Sequence, residues 1–232
     1  MLGFCHIQHV ISALIRSLSA KSGELFDFPI KGTFPPRIDL SVHNVRNTGP
    51  TPYNRAELTQ FVEDRRAATH SRMVWGGYQE QRLIYGNSSI FHQEQSPRNI
   101  HLGLDFWMDA GEKVYSPLDG TIHSLQDNDA FGDYGPTIIV QHWVRGTAFH
   151  LLYGHLGRAS LLPWQPGQQV TKGDLIGCLG APDENGNWPP HLHFQIIIDM
   201  EGKQGDYPGV CSVETLKHYS NNCPDPRFLL GL

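Results

Sequence analysis

The segment 191-HLHFQIII-198 decides the fold class, because it combines a strand-forming sequence with two histidines in alternate positions. Its isoleucines are β-branched and favour the extended state. Residues two apart on a strand face the same side, about 7 Å apart, so His191 and His193 can line one groove. One imidazole could bind a metal while the other stands just outside the ligands. Taken alone, the segment is equally consistent with a strand that carries two exposed histidines.

Segments of a similar kind precede this strand at short intervals. Their alternating residues, and turn dipeptides such as Asp119-Gly120 and Lys172-Gly173, predict antiparallel strands in a mainly β fold. The predicted strands cover 113–118, 120–125, 137–143, 147–153, 169–171 and 175–179. We therefore expect a β domain over residues 91–232, with helices confined to the N-terminal part of the chain.

Residues 1–90 have the pattern of an N-terminal extension, helical plus irregular, with about two helices. Apolar residues at helical spacing between positions 7 and 18 predict the first helix. Asn54 and Glu57 form a capping box for the second helix, which should end near residue 75. Whether this extension inhibits the β domain, binds a partner or only completes the fold is left open.

Composition excludes several classes of function. The 232 residues carry a net charge of -5, which argues against a dedicated nucleic-acid binder. No apolar stretch approaches the roughly 18 residues that span a bilayer, so we expect no membrane span. No Lys or Arg precedes Arg16, and the first apolar run is broken by histidines and a glutamine. A cytoplasmic location is favoured, with a periplasmic or extracellular one left open.

The four cysteines give little functional signal. Cys5, Cys178, Cys211 and Cys223 form no C-x-x-C pair, which argues against a cysteine zinc site. Cys178 lies in an apolar run and is predicted to be a buried small hydrophobe. Whether Cys211 and Cys223 pair is left open.

The run His101-Leu-Gly-Leu-Asp105 brings a second pair of potential metal ligands. Four residues along a straight strand span about 13 Å, too far for one metal ion. A helix would bring the two side chains together, but Gly103 at its centre disfavours one. A bend at Gly103 would bring His101 and Asp105 to one ion. The alternative is a histidine and an aspartate in a surface turn.

His155 follows the predicted strand 147–153 in the run Tyr153-Gly-His-Leu156. A single histidine after a tyrosine is weak evidence by itself, and it gains weight as a member of the set. Four imidazoles and one carboxylate over three segments match a mononuclear zinc site with a flanking acid/base pair.

The ordered motifs H-x-G-x-D, Y-x-H-L and H-L-H-F resemble the lysostaphin-type zinc metallopeptidases, metallopeptidase family twenty-three, over about residues 98–198. The resemblance implies a two-sheet antiparallel β core, the duplicated hybrid motif, with a long substrate groove. It also implies Zn²⁺ held by His101, Asp105 and His193. His155 and His191 would then be the catalytic pair.

The roles implied for the pair follow from zinc chemistry. Two imidazoles and one carboxylate leave a fourth position on the metal open for water, whose pKa such a site can lower to about 7. His191 is the expected general base that takes the water proton. His155 would stabilise the oxyanion or protonate the leaving nitrogen. The expected partner is a peptide, a peptidoglycan fragment or a small amide.

Two features depart from the family pattern and leave alternatives open. Residues 183–190 form a longer and bulkier rim before H-L-H, and the tail 199–232 resembles the metallopeptidase-like segment of fused kinase–aminotransferase proteins. A zinc amidohydrolase acting on a small metabolite is therefore an alternative to a peptidoglycan endopeptidase. A third is a histidine phospho-acceptor or carrier module that resembles the glucose-permease IIA domain. Asp105 argues against it, since a phospho-acceptor gains nothing from a carboxylate ligand.

Overall fold

In a computed structural model of the protein, residues 13–33, 35–44, 54–85 and 96–232 are described. A seven-stranded antiparallel sheet forms the centre of the fold. Two small two-stranded sheets accompany it. The strands of all three sheets, numbered in chain order, are β1 Val74–Gly76, β2 Ile100–His101, β3 Leu104–Trp107, β4 Lys113–Tyr115, β5 Gly120–Asn128, β6 Gly135–Val144, β7 Thr147–Gly154, β8 Gln169–Val170, β9 Leu175–Cys178, β10 His191–Ile197 and β11 Val210–Cys211.

The strand order of the large sheet is β1-β3-β10-β7-β6-β5-β8. Strands β2 and β11 form one two-stranded sheet, and β4 and β9 form the other. The mainly β prediction is confirmed, and each strand predicted between residues 113 and 198 lies where the sequence indicates, with shorter or longer ends. The extra small sheets are consistent with a fold of more than one sheet.

The two faces of the large sheet bury different residues. On β10, Leu192, Phe194 and Ile196 point into the main hydrophobic core. His191 and His193 alternate with them and face the other side, as the period of two predicts. The register then fixes their neighbours, because His191 pairs with Trp107 and His193 with Asp105 on β3.

The N-terminal extension contributes to this sheet. Residues 13–17 are helical, while residues 7–12 of the predicted first helix lie outside the described residues. Helix α1 spans Arg55–Ala68, and the Asn54 side chain accepts hydrogen bonds from the amides of Ala56 and Glu57, which confirms the predicted cap. The helix ends earlier than predicted, because Val74–Gly76 becomes β1 and pairs with β3.

The C-terminal tail corrects the expectation that helices are confined to the N-terminal part. Helix α2 spans Leu216–Asn222 and helix α3 spans Arg227–Leu230. Leu229 and Leu230 are buried in the main core, so packing of short apolar runs overrides their lack of a strong helical pattern. Within the described ranges, no helix is long and apolar enough to cross a membrane.

None of the described cysteines forms a disulfide. Cys211 and Cys223 are both buried, and Cys178 is half-buried rather than fully buried. Cys5 lies outside the described residues. The predicted domain boundary at residue 90 stays a prediction.

Candidate metal centre

A bend at Gly103 brings His101 and Asp105 together. His101 ends β2 and Asp105 lies on β3, and the bend between them leaves His101 Nε2 3.2 Å from Asp105 Oδ1. A Cβ at Gly103 would lie 2.8 Å from the His193 ring and from the Phe194 carbonyl oxygen. Glycine is therefore required here because a third side chain approaches the backbone closely.

That third side chain is His193 on β10. Its Nδ1 lies 3.2 Å from Asp105 Oδ1 and 2.9 Å from His101 Nε2. The cross-strand register of His193 and Asp105 explains the contact, because directly opposed side chains share a face. His101, Asp105 and His193 are the one cluster of three potential metal ligands found among the described residues.

The hydrogen bonds on the far side of each ring fix which nitrogens carry protons. His101 Nδ1 lies 2.8 Å from the Gly77 carbonyl oxygen, which can only accept. His193 Nε2 lies 2.8 Å from Gln195 Oε1, and the Gln195 amide donates in turn to the Pro208 carbonyl. Both rings therefore turn a lone pair inward, since a neutral imidazole has one N–H and one acceptor.

Three acceptors thus converge without a hydrogen between them. Two nitrogen lone pairs 2.9 Å apart beside a carboxylate oxygen repel one another unless a cation lies between them. Ligands on a tetrahedral zinc ion at 2.0–2.1 Å lie about 3.3 Å apart, close to the spacing of these atoms. The donor set therefore fits zinc. The far-side partners are of the kind that orients metal-binding histidines.

The other oxygen of Asp105 accepts a hydrogen bond from a buried arginine. Arg82 Nη1 lies 2.6 Å from Asp105 Oδ2, and Arg82 Nε lies 2.7 Å from Glu80 Oε2. Burial opposes ionisation of Asp105, but the Arg82 guanidinium beside it holds its pKa well below the ordinary value. Burial also lowers the pKa of His101 to about 3. Asp105 is thus an ionised carboxylate beside a neutral His101 imidazole.

His155 and His191 lie beside this cluster as a pair. Their ring centroids are 4.2 Å apart, and His191 Nε2 is 3.9 Å from Asp105 Oδ1. His155 has a left-handed backbone (φ 61°), held by a hydrogen bond from its amide to the Tyr134 carbonyl. His155 directly follows the end of β7, and this turn directs its ring into the cavity.

Backbone carbonyls orient both members of the pair. His155 Nδ1 donates to the Asn185 oxygen at 2.9 Å, and His191 Nδ1 donates to the Pro189 oxygen at 2.7 Å. Each Nε2 therefore carries a lone pair. Burial lowers the pKa of both rings, and for His155 the neighbouring His191 lowers it further. Two neutral bases therefore face one cavity.

The cavity has a volume of about 300 Å³. The five clustered side chains line it together with an apolar group and a charged group. The apolar group is Leu58, Ile84, Tyr85, Trp107 and Trp188, and the charged group is Arg98, Asp133, Lys203 and Asp206. The Trp107 indole stacks on the His191 ring at 5.6 Å, and Trp188 makes an edge contact with Tyr85.

All five residues singled out in the sequence meet in this cavity. Sequence reasoning missed three residues of the site, Arg82, Gln195 and Tyr134. The Tyr134 hydroxyl lies 3.4 Å from His193 Nε2. Gln195 had a usable signal, since it lies two residues after His193 on the same strand face. Arg82 had no such signal, because backbone pairing between distant segments brings it near Asp105: β1 pairs with β3, and the Arg82 amide donates to the Asn99 carbonyl. Arg98 also lines the cavity, with its Nε donating to the Val210 carbonyl.

Part of the chain is similar to known proteins. Residues 99–206 match the family model described as Peptidase family M23, which confirms the lysostaphin-type resemblance of this segment. The match contains His101, Asp105, His155, His191 and His193, but not Arg82. No curated protein matches the chain.

Several solved structures are similar to part of this chain. They include a zinc-containing peptidase from Vibrio cholerae, with 29% identity over 42% of this chain and 27% of that chain and a TM-score of 0.35. The catalytic domain of the antimicrobial peptidase lysostaphin from Staphylococcus simulans has 21% identity over 53% of this chain and 80% of its own, with a TM-score of 0.36. A mutant catalytic domain of the prophage-encoded M23 protein EnpA from Enterococcus faecalis has 19% identity over 46% of this chain and 74% of its own, with a TM-score of 0.36. The chain spans 27%, 48% and 30% of the first three structures that it matches.

Proposed function

We propose that this chain is a zinc-dependent hydrolase that cleaves an amide bond in a peptide or peptidoglycan cross-bridge. The observation that carries the assignment is the convergence of three metal-binding acceptors beside two neutral histidines in one cavity. The family match over residues 99–206 supports peptidase chemistry.

The residues proposed to hold the metal are His101 through Nε2, Asp105 through Oδ1 and His193 through Nδ1. A zinc ion bound there supplies Lewis-acid chemistry, because it polarises a carbonyl oxygen and lowers the pKa of water towards 7. The chain supplies the rest of the reaction by placing two bases, His155 and His191, beside the proposed ligands.

His191 is the proposed general base. Its Nδ1 proton is held by the Pro189 carbonyl, so Nε2 can accept a proton from an attacking water molecule. The Trp107 indole against one face of the ring fixes the plane of the imidazole. Because burial keeps the ring neutral, it is ready to accept a proton near neutral pH.

His155 is the proposed partner in proton delivery. At a ring separation of 4.2 Å, two imidazolium ions would repel each other, so the pair holds one extra proton at most. The proton taken from water by His191 can therefore be passed by the pair to the leaving nitrogen as the carbon–nitrogen bond breaks. A protonated His155 can also donate a hydrogen bond to the oxyanion.

The cavity walls favour testing a second, smaller class of substrate. A volume of about 300 Å³ lies at the lower end of ligand pockets, and Trp188 with Tyr85 forms an aromatic wall beside the histidines. These features suit a short amide as well as one strand of a cross-bridge. A zinc amidohydrolase acting on a small metabolite is therefore the second candidate function.

The test is hydrolysis of defined substrates followed by mass spectrometry. Cross-linked muropeptides and small N-acyl amines are incubated with the zinc-loaded chain, with the chelated chain, and with His191→Ala. We expect a new amine and a new carboxylate from one substrate class, in the zinc-loaded wild type only. Cleavage of N-acyl amines without cleavage of muropeptides would favour the small-metabolite candidate.

A different result would contradict hydrolysis altogether. Stable phosphorylation of His155 or His191 by a phosphohistidine donor, with no amide cleavage, would favour the phospho-acceptor alternative. The cytoplasmic location inferred above stays a prediction, and fractionation of the native host tests it.

A further inference from the structure

We infer that Arg82, a residue outside the segment that matches the family model, is a positioning residue that orients Asp105 so that only Oδ1 faces the two ligand histidines. The role depends on the zinc site proposed above. It also assigns a function to residues 77–85 of the N-terminal extension, which would build the site rather than cover it.

The contacts of Arg82 leave Asp105 one free oxygen. Arg82 Nη1 donates to Asp105 Oδ2 at 2.6 Å, which turns Oδ1 towards His101 Nε2 and His193 Nδ1, each 3.2 Å away. A carboxylate without this partner can rotate and present both oxygens to a metal. The hydrogen bond therefore selects one-oxygen coordination.

The arginine is itself held from three directions. Its side chain is 1% exposed, its Nε donates to Glu80 Oε2 at 2.7 Å, and Nη1 also lies 3.2 Å from the Tyr85 hydroxyl. Glu80 balances the charge of Arg82, so the negative charge of Asp105 remains available for a cation. A buried, hydrogen-bonded guanidinium with a carboxylate on each side has little freedom to move.

A glycine provides the space for the guanidinium. Gly77 has φ 102°, and a Cβ there would overlap Arg82 Nη2. The carbonyl of the same residue accepts the hydrogen bond from His101 Nδ1 at 2.8 Å. One turn of the extension thus seats Arg82 and orients His101, so it acts on two of the three proposed ligands.

Stability does not explain this arrangement well. A buried ion pair gains little over apolar residues of the same volume, because removing both charges from water is costly. Orientation of Asp105 gives a reason for retaining the ion pair. Removal of a side chain that hydrogen-bonds to a metal ligand weakens metal binding by about 10- to 100-fold.

The test is zinc affinity of the full chain, measured by competition with a chromogenic chelator, together with the visible spectrum of the Co²⁺-loaded protein. The variants are Arg82→Met and Arg82→Lys. The matched control is Arg158→Met, which removes an exposed arginine that pairs with Asp127 on the surface. Circular dichroism checks that each variant is folded.

We expect Arg82→Met to weaken zinc binding by about 10- to 100-fold, and Arg82→Lys by less, because lysine keeps one donor. The cobalt band should lose intensity in Arg82→Met as Asp105 adds its second oxygen to the metal. Arg158→Met should match the wild type. Zinc affinity of Arg82→Met within twofold of wild type, or tighter, would overturn the inference.

A second pair of variants applies if Arg82→Met does not fold. Gly77→Ala should displace the guanidinium and weaken zinc binding, while Gly111→Ala imposes the same backbone strain (φ 87°) with open space around its Cβ. Equal zinc affinities of these two variants would contradict the role. A wild type that binds zinc but hydrolyses no amide would refute the proposed function alone, because the affinity contrast would still test Arg82.

Discussion

The proposed ligands and the proposed acid/base pair share one cavity but are anchored in different ways. Asp105 and His193 are held from behind by side chains, Arg82 and Gln195, that are themselves hydrogen-bonded. His155 and His191 are held by backbone carbonyls of the 185–189 loop. The first group lies within the sheets, and the second depends on the loop between β9 and β10.

This difference separates metal binding from proton transfer. Side-chain anchors fix the direction of two of the three ligand atoms, and the Gly77 carbonyl fixes that of the third, on His101. Backbone anchors fix the tautomer of a base but leave its Nε2 free to gain and lose a proton. Substitutions in the two groups should therefore have distinguishable effects.

The largest effect on stability and zinc binding is expected from substitution of Asp105. Asp105→Asn removes one of the two carboxylates that contact the buried Arg82 guanidinium and leaves Glu80 as its charged partner. Breaking a buried pair in this way costs about 3–5 kcal/mol. We expect a lower free energy of unfolding in urea and loss of bound zinc. Unchanged stability would show that Arg82 does not depend on Asp105.

The next effect sharpens the contrast between the two groups. His191→Ala should keep bound zinc and lower kcat by about 10²- to 10⁴-fold, since a positioned base contributes that much. The matched control is His150→Ala, because His150 is also a buried histidine on this sheet but does not line the cavity. Loss of zinc from His191→Ala would remove the distinction between ligands and bases.

A smaller loss of zinc affinity is expected when Gln195, the hydrogen-bond partner of His193, is replaced. Gln195→Leu removes the acceptor for the Nε2 proton, so Nδ1 is no longer fixed as the inward lone pair. Zinc affinity should fall by about 10- to 100-fold. Gln195→Glu keeps an acceptor and should bind zinc more tightly than Gln195→Leu. Equal affinities of the two variants, measured by chelator competition, would contradict the orienting role.

The smallest expected effect is a pH-dependent change in stability at Asp133, a second carboxylate in the same cavity as Asp105. Asp105 has a buried cation beside it, whereas burial raises the pKa of Asp133 to about 6. The folded state therefore binds a proton more tightly than the unfolded state, and wild-type stability falls as pH rises from about 4 to 6.

Asp133→Asn should remove that loss, because the amide oxygen still accepts from the Tyr134 amide. We expect a gain on the order of 1 kcal/mol above pH 6 that vanishes below pH 4. Urea unfolding of both proteins from pH 4 to 8 measures it. A gain independent of pH would assign the effect to something other than ionisation.

The sequence predicted the parts of the site that depend on local periodicity. The period of two on β10 predicted the shared face of His191 and His193, and Gly103 predicted the bend that joins His101 to Asp105. These features follow from a few consecutive residues. The strand positions between residues 113 and 198 were predictable for the same reason.

The parts that depend on distant pairing were not predictable. Arg82 reaches Asp105, 23 residues further along the chain, because β1 pairs with β3 and residues 80–82 pair with residues 99–101. The left-handed turn at His155 depends on its hydrogen bond to Tyr134. The C-terminal helices depend on packing against the main core, which no local pattern shows.

The central claim is that three of the five site residues bind zinc and the other two do not. Elemental analysis of zinc per chain in the wild type, His193→Ala and His155→Ala tests it most directly. We expect about one zinc in the wild type and in His155→Ala, and almost none in His193→Ala. A wild type that stays metal-free after zinc is supplied, or equal loss of zinc from both variants, would contradict the account.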